Sequence, residues 1–315
     1  MEDEWGERYS KGMTLSFLII GAEKSGTTWL YDRLRRHPDV FMPEVKEVHY
    51  FNQRNSNHQL RRNYEKHDFE WYENHFRERA GESAVGEATP MYLCDEQAPE
   101  RIRTHLPNVR LIVSLRHPTD RAYSHYWMAR GKKHTEYSFR RVVEQKVPKF
   151  IQRGRYGEQL ERYLDRFERS QLQIVVHEEL FEEPVRHLNE LCAFLEVEDA
   201  FYGGQDWITE AVNRSSSIRS PFLQRVIGTT AKWMRDREGF RQVLDALKKT
   251  GLTDQVKQAN KAPRDYPPMP VDLRRKLDDY YVSTVLKTEE ILGRRIPSWR
   301  EQSTATIPES GSLQG

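Results

Sequence analysis

Two cysteines in 315 residues cannot build a disulfide framework or a zinc cluster. Cys192 falls on an apolar helical stripe with Leu188, Leu191 and Leu195, the setting of a buried thiol. Long apolar runs are missing too. The run Phe17 to Ile20, like every other, falls far short of the ~20 residues that span a bilayer, so no integral membrane association is expected. Met1 to Ser10 is acidic and polar, without a basic segment leading into an apolar one, so no secretory signal is expected either. A cytoplasmic, reducing and bacterial setting is the expectation. Net charge is also scarce: 50 Lys+Arg against 48 Asp+Glu leave +2. Compositional disorder needs low hydrophobicity together with high net charge, and only the first holds, with 37% hydrophobic residues and a mean hydropathy of -0.86. The 13 Phe, 15 Tyr and 7 Trp supply the bulk for a core.

What charge there is lies unevenly. From Arg116 to Arg155 there are eleven Lys/Arg and three Asp/Glu. Such a stretch is either a solvated helix face or a surface that meets a polyanion, and composition leaves both open.

Periodicity predicts the organisation. Leu15–Ile20 reads as a buried strand ended by Gly21, and Thr27–Arg36 as a helix stopped by His37-Pro38. Arg110–Leu115 is a second buried strand, followed by a helix through Tyr126-Trp127-Met128. Gln173–Val176 is a third, followed by a helix opened by Pro184 and ending near Leu195. Strands alternating with helices predict an α/β fold: one P-loop-like domain with a central, mainly parallel sheet flanked by helices. Asn52–Arg79, polar and aromatic, predicts irregular helices over the sheet. A proline-rich segment, 261–270, precedes a final helix, Asp272–Leu292, giving a helical C-terminal part. Residues 1–13 read as an extension, 14–301 as the domain and 302–315 as a disordered tail.

Two constellations carry chemistry. Gly21-Ala-Glu-Lys24-Ser25-Gly26-Thr27-Thr28 sits between a buried strand and a helix. There, backbone N–H groups and the helix N-terminus can close on a phosphate, with hydroxyls from Thr27 and Thr28. A plain helix cap would account for the hydroxyls but not for a lysine inside the turn. In an NTPase loop the lysine follows the second glycine. Here Thr27 holds that place, the lysine has moved to Lys24, and Arg110–Leu115 runs into Arg116 rather than an acid. A magnesium-nucleotide kinase or NTPase is disfavoured. The second constellation is Arg116 with Ser124: Arg116 leaves a strand at its C-terminal end, where ligands bind in open α/β sheets, and its fork suits a phosphate. Ser124 can return to the same anion if Pro118 opens a helix. Glu47 and His49, two apart in a segment read as extended, would point the same way.

Together these residues resemble a known family. Phe17–Trp29 (FLIIGAEKSGTTW) is similar to the 5′-phosphosulfate loop of sulfotransferases that use 3′-phosphoadenosine 5′-phosphosulfate (PAPS), and Arg116 with Ser124 resembles their 3′-phosphate motif. Arg36-His37-Pro38, Lys46–Phe51, Gly86–Tyr92, Gly154–Leu195 and Leu292–Trp299 resemble the heparan sulfate glucosaminyl branch and its bacterial relatives. The resemblance implies transfer of the sulfuryl group from PAPS to a carbohydrate or small-molecule hydroxyl, releasing adenosine 3′,5′-bisphosphate, with no metal. It implies that Lys24 stabilises the leaving phosphate, that Ser25, Gly26, Thr27 and Thr28 hold the 5′-phosphate, and that Arg116 and Ser124 hold the 3′-phosphate. Glu47 would be the general base, His49 would assist or orient the acceptor, and Arg219 would reach the 3′-phosphate from a late loop. Two positions depart from the branch: Ala88 stands where it often has lysine, and Asn52 where it has an acid. Both weaken a heparan-like acceptor while leaving the PAPS positions intact. The alternatives are a P-loop kinase or NTPase, and a non-catalytic polyanion-binding protein using 116–155. No nucleic-acid partner is expected.

Overall fold

The computed structural model describes residues 15–57, 59–209, 216–218, 261–263 and 267–304. Five parallel strands form the central sheet: β1 (Phe17–Gly21), β2 (Val40–Phe41), β3 (Ala84–Ala88), β4 (Arg110–Leu115) and β5 (Leu172–Val176), in spatial order β2-β3-β1-β4-β5. Parallel strands need crossovers, and helices provide them. These are α1 (Thr27–Leu34), α2 (Ala98–His105), α3 (Pro118–Gly131), α4 (Tyr156–Leu164), α5 (His177–Glu182) and α6 (Pro184–Leu195). A long helix, α7 (Val271–Leu292), follows, then Pro297–Thr304. This is the α/β architecture the sequence implied.

Both faces of the sheet are covered, so β1 is apolar throughout, and its side chains divide by strand alternation. Leu18 and Ile20 pack with Val85, Leu111, Val113, Tyr72 and Tyr163 on one face. Phe17 and Ile19 pack with Trp29, Leu30, Ile112, Leu188 and Cys192 on the other. Cys192 is fully buried, as its stripe predicted, and both cysteines are free.

Two strands escaped the sequence reading. Val40–Phe41 is too short for a periodic signal. Ala84–Ala88 (AVGEA) carries small residues and a glutamate, yet it is buried throughout because it lies between β1 and β2. Gly86 has to be glycine: a Cβ there would run into the carbonyl oxygen and ring of Phe17 on β1. Asn52–Arg79 does contain short helices, Asn63–Lys66 and Phe69–Glu73, the latter capped by Asp68 accepting from the Trp71 N–H at 2.9 Å.

α7 is stitched to the rest of its unit by polar contacts over long stretches of chain. Thr119 Oγ1 donates to Asp278 at 2.6 Å, Arg274 pairs with Asp120, and Thr284 Oγ1 accepts from the Gly157 N–H at 2.8 Å. The Tyr281 hydroxyl donates to the Ile151 carbonyl at 2.7 Å. Asn213–Pro268 forms a separate unit, in which Ser216–Ile218 pairs antiparallel with Lys261–Pro263. Residues 1–14, most of 210–266 and those past Thr304, and with them Arg219, lie outside the described residues.

Candidate active site

The sheet order reverses between β1 and β4, and the segments leaving their C-terminal ends carry the site. The loop after β1 starts tied to β4: Ala22 N–H donates to the Ser114 carbonyl at 2.7 Å and Ser114 Oγ to the Ser25 carbonyl at 2.5 Å. Lys24 and Gly26 take left-handed backbone, φ 72° and 87°. Gly26 is the N-cap of α1 and gives no side-chain cap, so first-turn N–H groups stay open to an anion. A Cβ on Gly26 would lie 3.0 Å from His177 Nδ1, closing that opening.

Cations gather here. Burial pushes the Lys24 ammonium below its ordinary pKa, Glu23 counters, and nearby Arg116 and Lys132 push it further down. Like charges held together in a partly dry loop favour an anion between them. Ser25 Oγ and His177 Nδ1 are buried without a hydrogen-bond partner among protein groups. His177, first in α5, is held near pKa 4 by burial and by Arg116, against the Ser25 carbonyl, and so stays neutral at pH 7. Arg116 leaves β4 half-buried, its carbonyl accepting from the Tyr156 hydroxyl at 2.9 Å. Pro118 opens α3 as expected, and Ser124 lies on its buried side.

Behind the loop is a buried ionic group that sequence reasoning missed. Arg153 Nη1 donates to Glu23 at 2.5 Å and Nη2 to the Ser56 carbonyl at 3.3 Å, while His125 Nδ1 lies 3.6 Å from Glu23. Four of the eleven basic residues in that stretch have a structural account. Arg121 and Arg153 are interior, and Arg140 and Arg155 pair with Asp272 and Glu158 at 2.7 Å each.

Glu47 and His49 do meet, Oε2 to Nε2 at 3.2 Å, but not as extended neighbours. Both take left-handed backbone, φ 67° and 56°, and the turn, not strand alternation, brings them together. Val48, Tyr50 and Phe51 are anchored in the core around them. His49 Nδ1 donates to Asn52 Oδ1 at 3.2 Å, an orientation fixed because Asn52 Nδ2 donates to the Arg54 carbonyl at 2.7 Å. A hydrogen bond between Nε2 and Glu47 then requires one proton held between the two. Burial pushes the Glu47 carboxyl up, but the hydrogen bond from His49 and the charge of Lys46, 3.5 Å away, outweigh it, leaving the pKa below the ordinary value. Glu23 also acts on Glu47, so the pair lies within electrostatic reach of the loop.

The arrangement sets a loop with open first-turn N–H groups and a buried lysine within electrostatic reach of a carboxylate–imidazole pair. The sulfotransferase domain family matches residues 16–262. The chain belongs to the sulfotransferase domain family. A membrane-associated sulfotransferase of Dictyostelium discoideum is 34% identical over 141 residues, 42% of this chain and 28% of that protein. The bifunctional heparan sulfate N-deacetylase/N-sulfotransferase 4 of Mus musculus is 28% identical over 331 residues, 97% of this chain. This sulfotransferase domain spans 33% of that relative's length. A sulfotransferase from Alicyclobacillus acidocaldarius shares the fold, with a TM-score of 0.64 at 24% identity, covering 91% of this chain and 99% of that one. No helix among the described residues is long and apolar enough to cross a membrane.

His177 could have been found by the rule that found Arg116, since it too is the first residue beyond a buried strand. Tyr72 and Phe76 of the aromatic segment, and Tyr92 beyond β3, are fully buried and belong to the core.

Proposed function

We propose that this sulfotransferase moves a sulfuryl group from PAPS to a hydroxyl of a carbohydrate or small-molecule acceptor by in-line displacement. The observation that carries this is the open N-terminus of α1 beside the buried Lys24, on which Arg116 and Lys132 act electrostatically, in a loop within electrostatic reach of the Glu47–His49 pair. Bound PAPS would supply the activated sulfuryl group and a phosphate leaving group. The unpartnered Ser25 hydroxyl, the open N–H groups at Gly26, Thr27 and Thr28, and the clustered cations fit such an anion. In this reading Ser25 to Thr28 hold the 5′-phosphate, and Arg116 and Ser124 hold the 3′-phosphate; Arg219 is assigned there from the resemblance alone.

Glu47 accepts the acceptor's hydroxyl proton, with His49 holding the carboxylate in place. Lys24 neutralises charge developing on the departing phosphate. Because the loop and the pair are fixed before the reactants arrive, much of the catalysis is positioning. Heparan sulfate appears in the names of an N-sulfotransferase 28% identical and a 3-O-sulfotransferase 30% identical, which supports a sugar acceptor, and the second a sugar hydroxyl; Ala88 and Asn52 argue for a different sugar or metabolite.

Lys24→Ala is expected to abolish transfer from labelled PAPS, tested on a panel of glycans, glycolipids and hydroxylated metabolites, while leaving the melting curve intact. An active Lys24→Ala protein overturns the mechanism. Adenosine 3′,5′-bisphosphate should raise the melting temperature of the parent, by about 2.7 kcal/mol of stabilisation at a hundredfold excess over Kd. Mg-ATP outcompeting the bisphosphate would instead favour a kinase.

A further inference from the structure

Glu87 is a carboxylate at the C-terminal end of β3 with 1% exposure, and nothing above uses it. Burying a charge is costly, and replacing such groups with apolar ones is often neutral or stabilising, so stability alone is a weak reason for its presence. Its contacts are specific. Oε1 accepts from the Tyr92 hydroxyl at 2.6 Å and the Tyr72 hydroxyl at 3.2 Å, and Oε2 accepts from Thr89 Oγ1 at 2.6 Å.

Two of those hydroxyls pass the polarity on. Thr89 Oγ1 accepts from the His49 N–H at 3.4 Å, and the Tyr92 hydroxyl accepts from the Tyr50 N–H at 3.2 Å. A hydroxyl that donates to a carboxylate becomes a better acceptor, so one charge polarises two successive backbone N–H groups. From the other side, Asn63 Nδ2 donates to the carbonyls of Val48 and His49, 3.2 Å each. The segment so gripped carries Glu47 and His49, both in left-handed backbone. For residues with a Cβ that conformation costs about 1–2 kcal/mol and persists only where the surroundings over-determine it. Burial pushes the Glu87 carboxyl above its ordinary pKa even though three hydroxyls donate to it. A charge bought at that cost fits a positioning role.

We propose that Glu87, acting through Thr89 and Tyr92, is a positioning residue for sulfuryl transfer: it locks the backbone of residues 49 and 50 so that the Glu47 carboxylate and the His49 ring meet the acceptor hydroxyl in one geometry. The role rests on the reading of Glu47 and His49 as the proton-accepting pair. It does not touch the cofactor loop, and that separates the two in a test.

Initial rates from labelled PAPS, with the acceptor the parent sulfates best, would be measured for Thr89→Val, Thr89→Ser and Tyr92→Phe, alongside the melting shift given by adenosine 3′,5′-bisphosphate. Thr89→Val keeps the side-chain shape and removes the relay. It is expected to lose kcat on the order of tenfold or more, with KM for PAPS and the bisphosphate shift unchanged. Thr89→Ser should restore kcat, and Tyr92→Phe reports the second relay if Thr89→Val does not fold. Parental kcat in both Thr89→Val and Tyr92→Phe overturns the positioning role, as does a loss spread equally over kcat and bisphosphate binding. A parent that neither uses PAPS nor is stabilised by the bisphosphate is a different failure, that of the functional reading itself.

Discussion

Removing Arg153 should expose how much the buried ion pair beneath the loop contributes. Glu23 is 12% exposed and Arg153 7%. Burial pushes the Glu23 carboxyl up; His125 when protonated, then Arg153 and Arg121, more than reverse that and bring it to about 2. His125 is itself held to about 3 by burial, so at pH 7 it is neutral and the two arginines carry the countercharge. The drop from 4.5 to about 2, at ~1.4 kcal/mol for each pH unit, corresponds to at most about 3 kcal/mol of stability, since the part due to protonated His125 is absent at pH 7. The folded-state pKa is depressed, so this contribution is complete above pH 4.5 and fades as pH falls towards 2. Arg153→Met leaves the carboxylate buried with its closest countercharge gone, and about 3 kcal/mol should be lost at pH 7. Glu23→Gln/Arg153→Met removes both charges and should recover most of it. Urea unfolding of the parent, the two single variants and the double variant gives the coupling directly. An Arg153→Met protein within ~1 kcal/mol of the parent, or a coupling near zero, would refute the reasoning.

Two further outcomes follow from the site geometry. Gly26→Ala places a Cβ 3.0 Å from His177 Nδ1 on a backbone at φ 87°, and should cost about 1–2 kcal/mol while abolishing the bisphosphate melting shift; a full shift would contradict an anion seat at the α1 N-terminus. Lys46→Met removes a cation that holds Glu47 ionised, so the acid limb of the kcat/KM profile should move to higher pH. An unmoved limb would remove Glu47 as the titrating base.

The strand–loop–helix of the candidate site was legible because it is contiguous: strand, glycine, lysine, glycine and helix start occupy thirteen successive positions, Phe17 to Trp29. Arg116 was legible because β4 announces itself as an apolar run. β3 was not, since its Ala, Gly and Glu acquire their strand character only from β1 and β2 on either side. Glu23 and Arg153 are separated by 130 positions and have no local signature. The Glu47–His49 contact was anticipated on strand geometry and arises from left-handed turns that no period-2 pattern encodes. Glu87 sat inside a recognised motif, yet its link to residues 49 and 50 exists only once Thr89 and Tyr92 are folded beneath them.

The grip of α7 on the front half of the chain also orders events in time. α3, which carries Ser124, reaches its final contacts only when Asp278 and Arg274 arrive, and α4 is not satisfied until Thr284 is in place. These contacts of α3 and α4 therefore form only after the chain has been made well past the sheet. Contacts of such sequence separation slow folding, because a long loop must be closed before they form. Nascent chains stalled before residue 271 should lack the contacts that hold α3 and α4, so that limited proteolysis cuts there more readily than in the full chain.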